Sequence, residues 1–261
     1  MPPAAMTDAQ RLFFETNGYL VLPDALSPDE LAALRAAADR AEAIWRADLS
    51  RPGIRNPNLL QVQSPIEYDD LFLNLMVHPR LFPIVWEILG DTVQMIDNDY
   101  FISPPHTQSH ALWHHDVGMP SVYHPRSTLM VKVFYLLSDV PEGGGGTALI
   151  PGSHRFPMDF PLPQVENPDD MPGCVTMAHP AGTAYLFHCR IYHAALNNRT
   201  DQHRRALIYN YGHFWMKMWQ GYEPSEALKA KAKTRVLRQL LGMGDAYGTS
   251  LAGVTDLNQE M

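Results

Sequence analysis

The chain has 261 residues, 46% of them hydrophobic and 18% charged, a size and mix that suit one globular domain with a sizeable core. Its 20 basic and 28 acidic side chains give a net charge of −8 without any basic run, which argues against a nucleic-acid partner. No apolar run reaches membrane-spanning length, residues 1–6 lack a signal-peptide pattern, and Cys174 and Cys189 form no metal or redox pair, so a cytoplasmic protein without a disulfide scaffold is expected.

Thr7 to Asn17 reads as a short amphipathic helix stopped by Gly18, with Tyr19 to Leu22 as a strand. Ser27-Pro28-Asp29-Glu30 is a capping box with proline at the first helical position, and it opens an Ala-rich helix to about Asp48. The prolines and asparagines from Arg51 to Ile66 read as loop. Two further helices are expected, Asp69 to Val77 and Pro79 to Leu89, the second closed by Gly90. Beyond Gly90 the texture changes to short β-branched and aromatic runs between Pro/Gly turns. These runs are Thr92–Ile102, Ala111–His115, Leu129–Leu137, Thr147–Ile150, Thr183–Phe187 and Arg205–Tyr211. Such spacing, with 22 prolines and 17 glycines, suggests an antiparallel sandwich or jelly roll. Phe156 to His179 reads as a surface excursion, and Ser225 to Leu241 as a final helix whose apolar stripe could pair with a second copy. One domain is expected: a helical region over residues 1–90, a β core over 91–215 and a C-terminal helix over 223–242.

Chemistry concentrates first at Trp113-His114-His115-Asp116. On a strand or strand end, residues two apart share a face, so His114 and Asp116 point together while His115 points away. An imidazole and a carboxylate side by side can hold two adjacent positions on a metal, and a second histidine would complete the facial triad of non-haem Fe(II) oxygenases. His193 is the candidate, following the expected core strand Thr183–Phe187. By itself His-x-Asp also fits a surface histidine beside a turn aspartate. Arg204 and Arg205 open a later strand; a guanidinium can fork onto a carboxylate, although an isolated pair equally suits a solvated strand entry. Alternation does not decide between the two arginines.

Taken together these pieces resemble the phytanoyl-CoA dioxygenase family of Fe(II)/2-oxoglutarate oxygenases. The resemblance begins at Asn17-Gly18-Tyr19-Leu20-Val21-Leu22 and runs through Trp113-His114-His115-Asp116. It continues in Gly143-Gly144-Gly145-Gly146-Thr147-Ala148-Leu149-Ile150-Pro151-Gly152-Ser153-His154 and closes with His193, Asn198 and Arg204. It implies a mainly β fold with flanking helices, a double-stranded β-helix or cupin-like jelly roll. It implies His114, Asp116 and His193 as iron ligands and Arg204 as receptor for the distal carboxylate of 2-oxoglutarate, with Arg205 as the fallback. Phe134 is the candidate aromatic against the cosubstrate. His154 is expected to be structural, and His106, His110 and His124 to be loop or pocket-lining residues.

The activity so implied takes Fe(II), 2-oxoglutarate and O2, releases succinate and CO2, and hydroxylates a small molecule by default. The carboxylate at Asp116 argues against halogenation, which needs a small residue there. Pocket residues are expected from 56–68, 106–110, 119–126 and 214–219. Their aromatic and methionine content (Tyr123, Phe214, Trp215, Met216, Met218, Trp219) suggests a mostly apolar substrate such as a natural-product intermediate. The rival readings are a metal-dependent jelly-roll hydrolase or isomerase that ignores 2-oxoglutarate, and a non-catalytic cupin-like binding protein.

Overall fold

A computed structural model describes residues 5–116, 128–157, 159–244, 251, 253 and 254. Two helices open the chain, each fixed by a capping box: α1 (Asp8–Asn17) behind Thr7 and α2 (Pro28–Ala47) behind Ser27. In both, the cap hydroxyl accepts from the third helical N–H while the Gln10 or Glu30 side chain accepts from the cap N–H, which satisfies two otherwise orphaned donors. Helix α2 buries Leu34, Ala37, Ala38, Ala41 and Trp45, a stripe at helical spacing. Helices α3 (Asp70–Leu75) and α4 (Phe82–Leu89) follow.

The strands form two sheets. The larger runs β1 (Tyr19–Leu22), β8 (Ala184–His188), β5 (Val131–Leu136), β10 (Arg204–His213), β4 (Val93–Ser103), β3 (Leu59–Gln63), β2 (Gly53–Asn56). The smaller runs β7 (Val175–Thr176), β6 (Thr147–Leu149), β9 (His193–Ala195). All pairings are antiparallel. The two sheets build the jelly roll, and strand alternation separates the two faces of the larger one. Val133, Tyr135, Leu207, Tyr209 and Tyr211 face the helices in one apolar cluster; Phe134, Leu136, Ala206 and Ile208 face the small sheet in another. Tyr209 and Tyr211 donate from their hydroxyls to the carbonyls of Phe72 (2.8 Å) and Met76 (2.9 Å), which ties α3 and its end to the sheet.

Three expectations need correction. Arg51–Ile66 is not loop throughout but the β2–β3 hairpin: Asn56 Oδ1 accepts from the Asn58 and Leu59 N–H groups at 2.9 and 2.8 Å, so the Asn-Pro-Asn run is only its turn. All four residues of β2 are exposed, so the strand carries no apolar period. Ala111–His115 forms no strand; it meets β9 through one isolated bridge, His114 to His193, plus the Ala195 N–H to Ala111 O bond. The final helix is two, α5 (Glu226–Lys231) and α6 (Arg235–Leu240), because the backbone leaves the helix at Ala232 and Thr234 caps a new one. The buried residues of α6, Val236, Leu237, Gln239 and Leu240, include Gln239, whose amide reaches the Val93 carbonyl of β4 at 2.9 Å; the stripe therefore serves the chain's own packing. No helix among the described residues is long and apolar enough to cross a membrane.

Gly18 ends α1 at φ 81°, and a Cβ there would lie 2.5 Å from His154 Nδ1. The two sequence motifs are thus packed on each other. Gly18→Ala is expected to lower stability by about 1–3 kcal/mol in a urea melt, and His154→Ala in the same chain to recover part of it; purely additive losses would show that the ring and the glycine do not meet.

Candidate active site

Three side chains converge between the sheets. One ligand atom from each of His114, Asp116 and His193 lies within 4.8 Å of the others, the only such group of metal-binding type found among the described residues. His114 and His193 exchange two backbone hydrogen bonds (3.0 and 2.9 Å), so their side chains leave on one face with ring centroids 4.2 Å apart. The Asp116 N–H donates to Cys189 O at 2.9 Å, and Asp116 Oδ1 sits 3.8 Å from His114 Nε2 and 3.7 Å from His193 Nε2. His115 turns away against Tyr192, as alternation requires.

Each imidazole is set in one tautomer. Nδ1 of His114 lies 2.6 Å from Leu112 O and Nδ1 of His193 3.0 Å from Ile191 O. A carbonyl only accepts, so each Nδ1 carries the hydrogen and each Nε2 lone pair faces the centre. Burial pushes the His193 pKa down to about 3, keeping it neutral. Burial works to raise Asp116, but the nearby Lys132 ammonium leads the interactions that outweigh it, so its pKa falls. Its Oδ2 is buried and takes no hydrogen bond, while Lys132 Nζ donates to Oδ1 at 2.9 Å. Two bare imine nitrogens and a carboxylate with a spare oxygen suit a divalent cation such as ferrous iron.

A second feature shares this cavity. Arg204, 3% exposed, donates to Thr147 Oγ1 (3.2 Å) and Tyr185 OH (3.4 Å), and its Nε is unpartnered. No acidic side chain among the described residues lies within ion-pair distance of it. A buried cation without an anion is costly, so the pocket is chemically prepared for one. Phe134 lies beneath the guanidinium (5.8 Å) and stacks on Tyr185 at 4.7 Å. Arg205, on the opposite face of β10, bonds Tyr100 OH and Asp39 (2.5 Å), outside the cavity.

The cavity, about 300 Å³, is lined by apolar residues, Ile54, Leu59, Phe101, Ile208 and Trp219, and by polar ones, Gln61, Asp97, Asp99, Lys132, Asn210 and Tyr222. It is less apolar than expected, because Phe214, Trp215, Met216 and Met218 lie outside its lining; residues 119–126, with Tyr123 and His124, fall outside the described residues. The sequence reading missed Asp97 and Asp99, although Asp97-Asn98-Asp99 inside the apolar run Val93–Ser103 was a signal: alternation puts both carboxylates on one face. Burial, then the charge of Asp99, raises Asp97 to about 8; burial raises Asp99 to about 6 against the donors Gln61 and Tyr222.

Other flagged residues sit elsewhere. His154 stands against the end of α1 and outside the metal-type group, and His106 bonds Asp201 (2.7 Å) on an exposed rim. His110 does line the cavity, against Phe101, and burial lowers its pKa to about 4. Asn198 caps a turn, donating to the Pro104 and Gln202 carbonyls at 2.9 and 2.8 Å.

The family model for phytanoyl-CoA dioxygenase (PhyH) matches residues 14–206, a span holding the triad, Phe134 and Arg204. The chain belongs to the phytanoyl-CoA dioxygenase family. It is accordingly a non-haem iron and 2-oxoglutarate-dependent dioxygenase. An ectoine dioxygenase of Stutzerimonas stutzeri is 25% identical over 231 residues, covering 77% of this chain and 74% of the relative. An L-proline trans-4-hydroxylase of Streptomyces griseoviridis is 26% identical over 244 residues, 80% of this chain and 87% of the relative. Among solved structures, EctD from S. alaskensis with 2-oxoglutarate and 5-hydroxyectoine superposes at TM-score 0.69 (24% identity; 82% of this chain, 78% of that one). HygX from Streptomyces hygroscopicus with nickel, 2-oxoglutarate and hygromycin B superposes at 0.67 (16%; 85% and 94%). These likenesses show the shared jelly-roll fold.

The raised Asp97 gives a pH test. In the unfolded chain an aspartyl carboxyl loses its proton near pH 4, whereas Asp97 holds it to about 8. Between these values the unfolded state binds fewer protons, so stability falls as pH rises. Asp97→Asn removes that loss, and its stability relative to wild type is expected to improve steadily across the window in denaturant melts; a pH-independent difference would contradict the assignment.

Proposed function

We propose that the chain hydroxylates a small organic molecule at a ferrous ion held by His114, Asp116 and His193, with 2-oxoglutarate anchored by Arg204. The observation that carries this is the buried guanidinium without a carboxylate partner, in one cavity with three convergent metal donors. When bound there, iron and 2-oxoglutarate would supply O2 activation and oxidation of a C–H bond, with succinate and CO2 released. The rest falls to the chain. The Leu112 and Ile191 carbonyls hold both imidazoles with Nε2 toward the metal. Arg204 would take the far carboxylate of 2-oxoglutarate in a forked pair, and Thr147 and Tyr185, already bonded to it, keep the fork in place. Phe134 supplies a flat apolar wall beside that chain. Lys132 steadies Asp116 through its Oδ1. Ile54, Leu59, Phe101, Ile208 and Trp219 would receive the carbon skeleton of the substrate, a natural-product intermediate being of suitable size, and keep water from the reacting carbon. The proposed assembly is one domain acting in the cytoplasm.

Succinate release in the presence of Fe(II), 2-oxoglutarate and ascorbate, assayed against a panel of small molecules, tests the activity; a hydrolase, isomerase or binding module would form none. Arg204→Leu is expected to weaken 2-oxoglutarate binding by at least about tenfold, one charge-assisted pair, while Arg205→Leu leaves it unchanged. Equal effects in calorimetric titration would reject Arg204 as the anchor.

A further inference from the structure

Two residues of the cavity lining carry acceptors that nothing among the described residues satisfies. Asp97, Asn210 and Lys132 stand opposite one another on β4, β10 and β5, and all three line the cavity. Asn210 Nδ2 donates to Asp97 Oδ1 at 2.6 Å. The other oxygens, Asp97 Oδ2 and Asn210 Oδ1, are buried without any hydrogen bond, on residues only 0% and 2% exposed. Lys132, the cation beside them in the ladder, is bonded to Asp116. Asp99, two positions along β4, is already supplied by Gln61 (2.7 Å) and Tyr222 (2.9 Å). With Asp97 ionised both unmet atoms are acceptors, and what they then lack is a donor-rich group.

Charge points the same way. Three carboxylates, Asp97, Asp99 and Asp116, line the cavity with two side-chain cations, Lys132 and Arg204. Ferrous iron and the 2-oxoglutarate dianion cancel, and metal-bound imidazoles are neutral. With Asp97 protonated the loaded site is neutral; once that carboxyl gives up its proton, the site is short of one positive charge. An ammonium group carries that charge and enough N–H donors for both orphaned oxygens.

We infer that Asp97, with Asn210 beside it and Asp99 next along the strand, forms a subsite for a protonated amine on the substrate. The inference rests on the iron and 2-oxoglutarate reading above and adds the chemical class of the molecule oxidised: an amine of a size to share a 300 Å³ cavity, its carbon skeleton against Leu59, Phe101 and Ile208. The upward shift of the Asp97 carboxyl has the same origin, a buried acid without its counter-charge.

The test uses the full chain loaded with Zn(II) and 2-oxoglutarate, which binds without turnover. Benzylamine against benzyl alcohol, and cyclohexylamine against cyclohexanol, are titrated by ligand-observed NMR. Each amine is expected to bind at least about tenfold more tightly than its neutral partner, the worth of one charge-assisted hydrogen bond, and Asp97→Asn to abolish the preference. Equal binding within both pairs by the wild-type protein overturns the inference and needs no variant to fold. A preference that persists undiminished in folded D97N overturns it as well. Uptake of 2-oxoglutarate is measured on the same wild-type samples: with uptake intact, equal binding sinks only the amine subsite, whereas no uptake sinks the cosubstrate reading and this one with it.

Discussion

Two main-chain hydrogen bonds, from His114 N–H to His193 O and from His193 N–H to His114 O, set the geometry on which the site depends. They join a segment that is otherwise irregular to a strand of only three residues, and they make the two histidines a hydrogen-bonded antiparallel pair. Side chains of such a pair rise on one face, so the imidazoles meet before any ion is considered. The Asp116 N–H to Cys189 O bond then brings the carboxylate to the same point. Because backbone bonds and carbonyl-locked tautomers place all three donors, the protein bears the cost of gathering them during folding, and little rearrangement is left for metal binding.

The larger sheet separates structural and chemical roles by strand alternation alone. Along β10, Leu207, Tyr209 and Tyr211 bind the helices, while Arg204, Ala206, Ile208 and Asn210 look inward. Adjacent arginines therefore meet opposite fates: Arg205 reaches Asp39 near the surface, and Arg204 is sealed among Phe134, Tyr185 and Thr147. Buried to 3% exposure against Phe134 and Tyr185, the guanidinium is weakly screened by solvent, which strengthens its attraction for an anion.

Much of this was legible in the sequence where a local rule acts alone. The capping boxes at Thr7 and Ser27, the stop at Gly18 and the long runs behind β4, β5 and β10 need no tertiary context. His114 and Asp116 were readable because a spacing of two puts them on one face whether or not the segment pairs fully. Other features depended on contacts distant in sequence. Strand β2 has no buried face, β9 is too short for a period, and the break at Ala232 follows a cap at Thr234 embedded in a helical pattern. The choice between Arg204 and Arg205 was hidden because both faces of β10 are buried, one by helices and one by the small sheet. Along β4 the register steps between the Met95–Tyr211 and Asp97–Asn210 pairs, leaving Ile96 unpaired. That bulge changes which face each residue takes: alternation carried from Val93 and Met95 would send Asp97 to the helix side, whereas it lines the cavity.

The same bulge bears on how the cavity sorts its contents. Arg204 and Asn210 are six residues apart on one strand, roughly 20 Å at 3.3 Å per residue, and the Ile96 carbonyl at the bulge receives the N–H of Trp219, a residue of the cavity lining. The inner face of β10 thus runs from a guanidinium to an amide paired with a carboxylate, and His114, Asp116 and His193 line the same cavity. An anion drawn to one end and a cation to the other cannot exchange places without setting like charges together in a poorly solvated space. On the proposed reading, this polarity orients cosubstrate and substrate toward the metal by repulsion as much as by attraction, and discriminates against molecules that offer a carboxylate where an amine belongs.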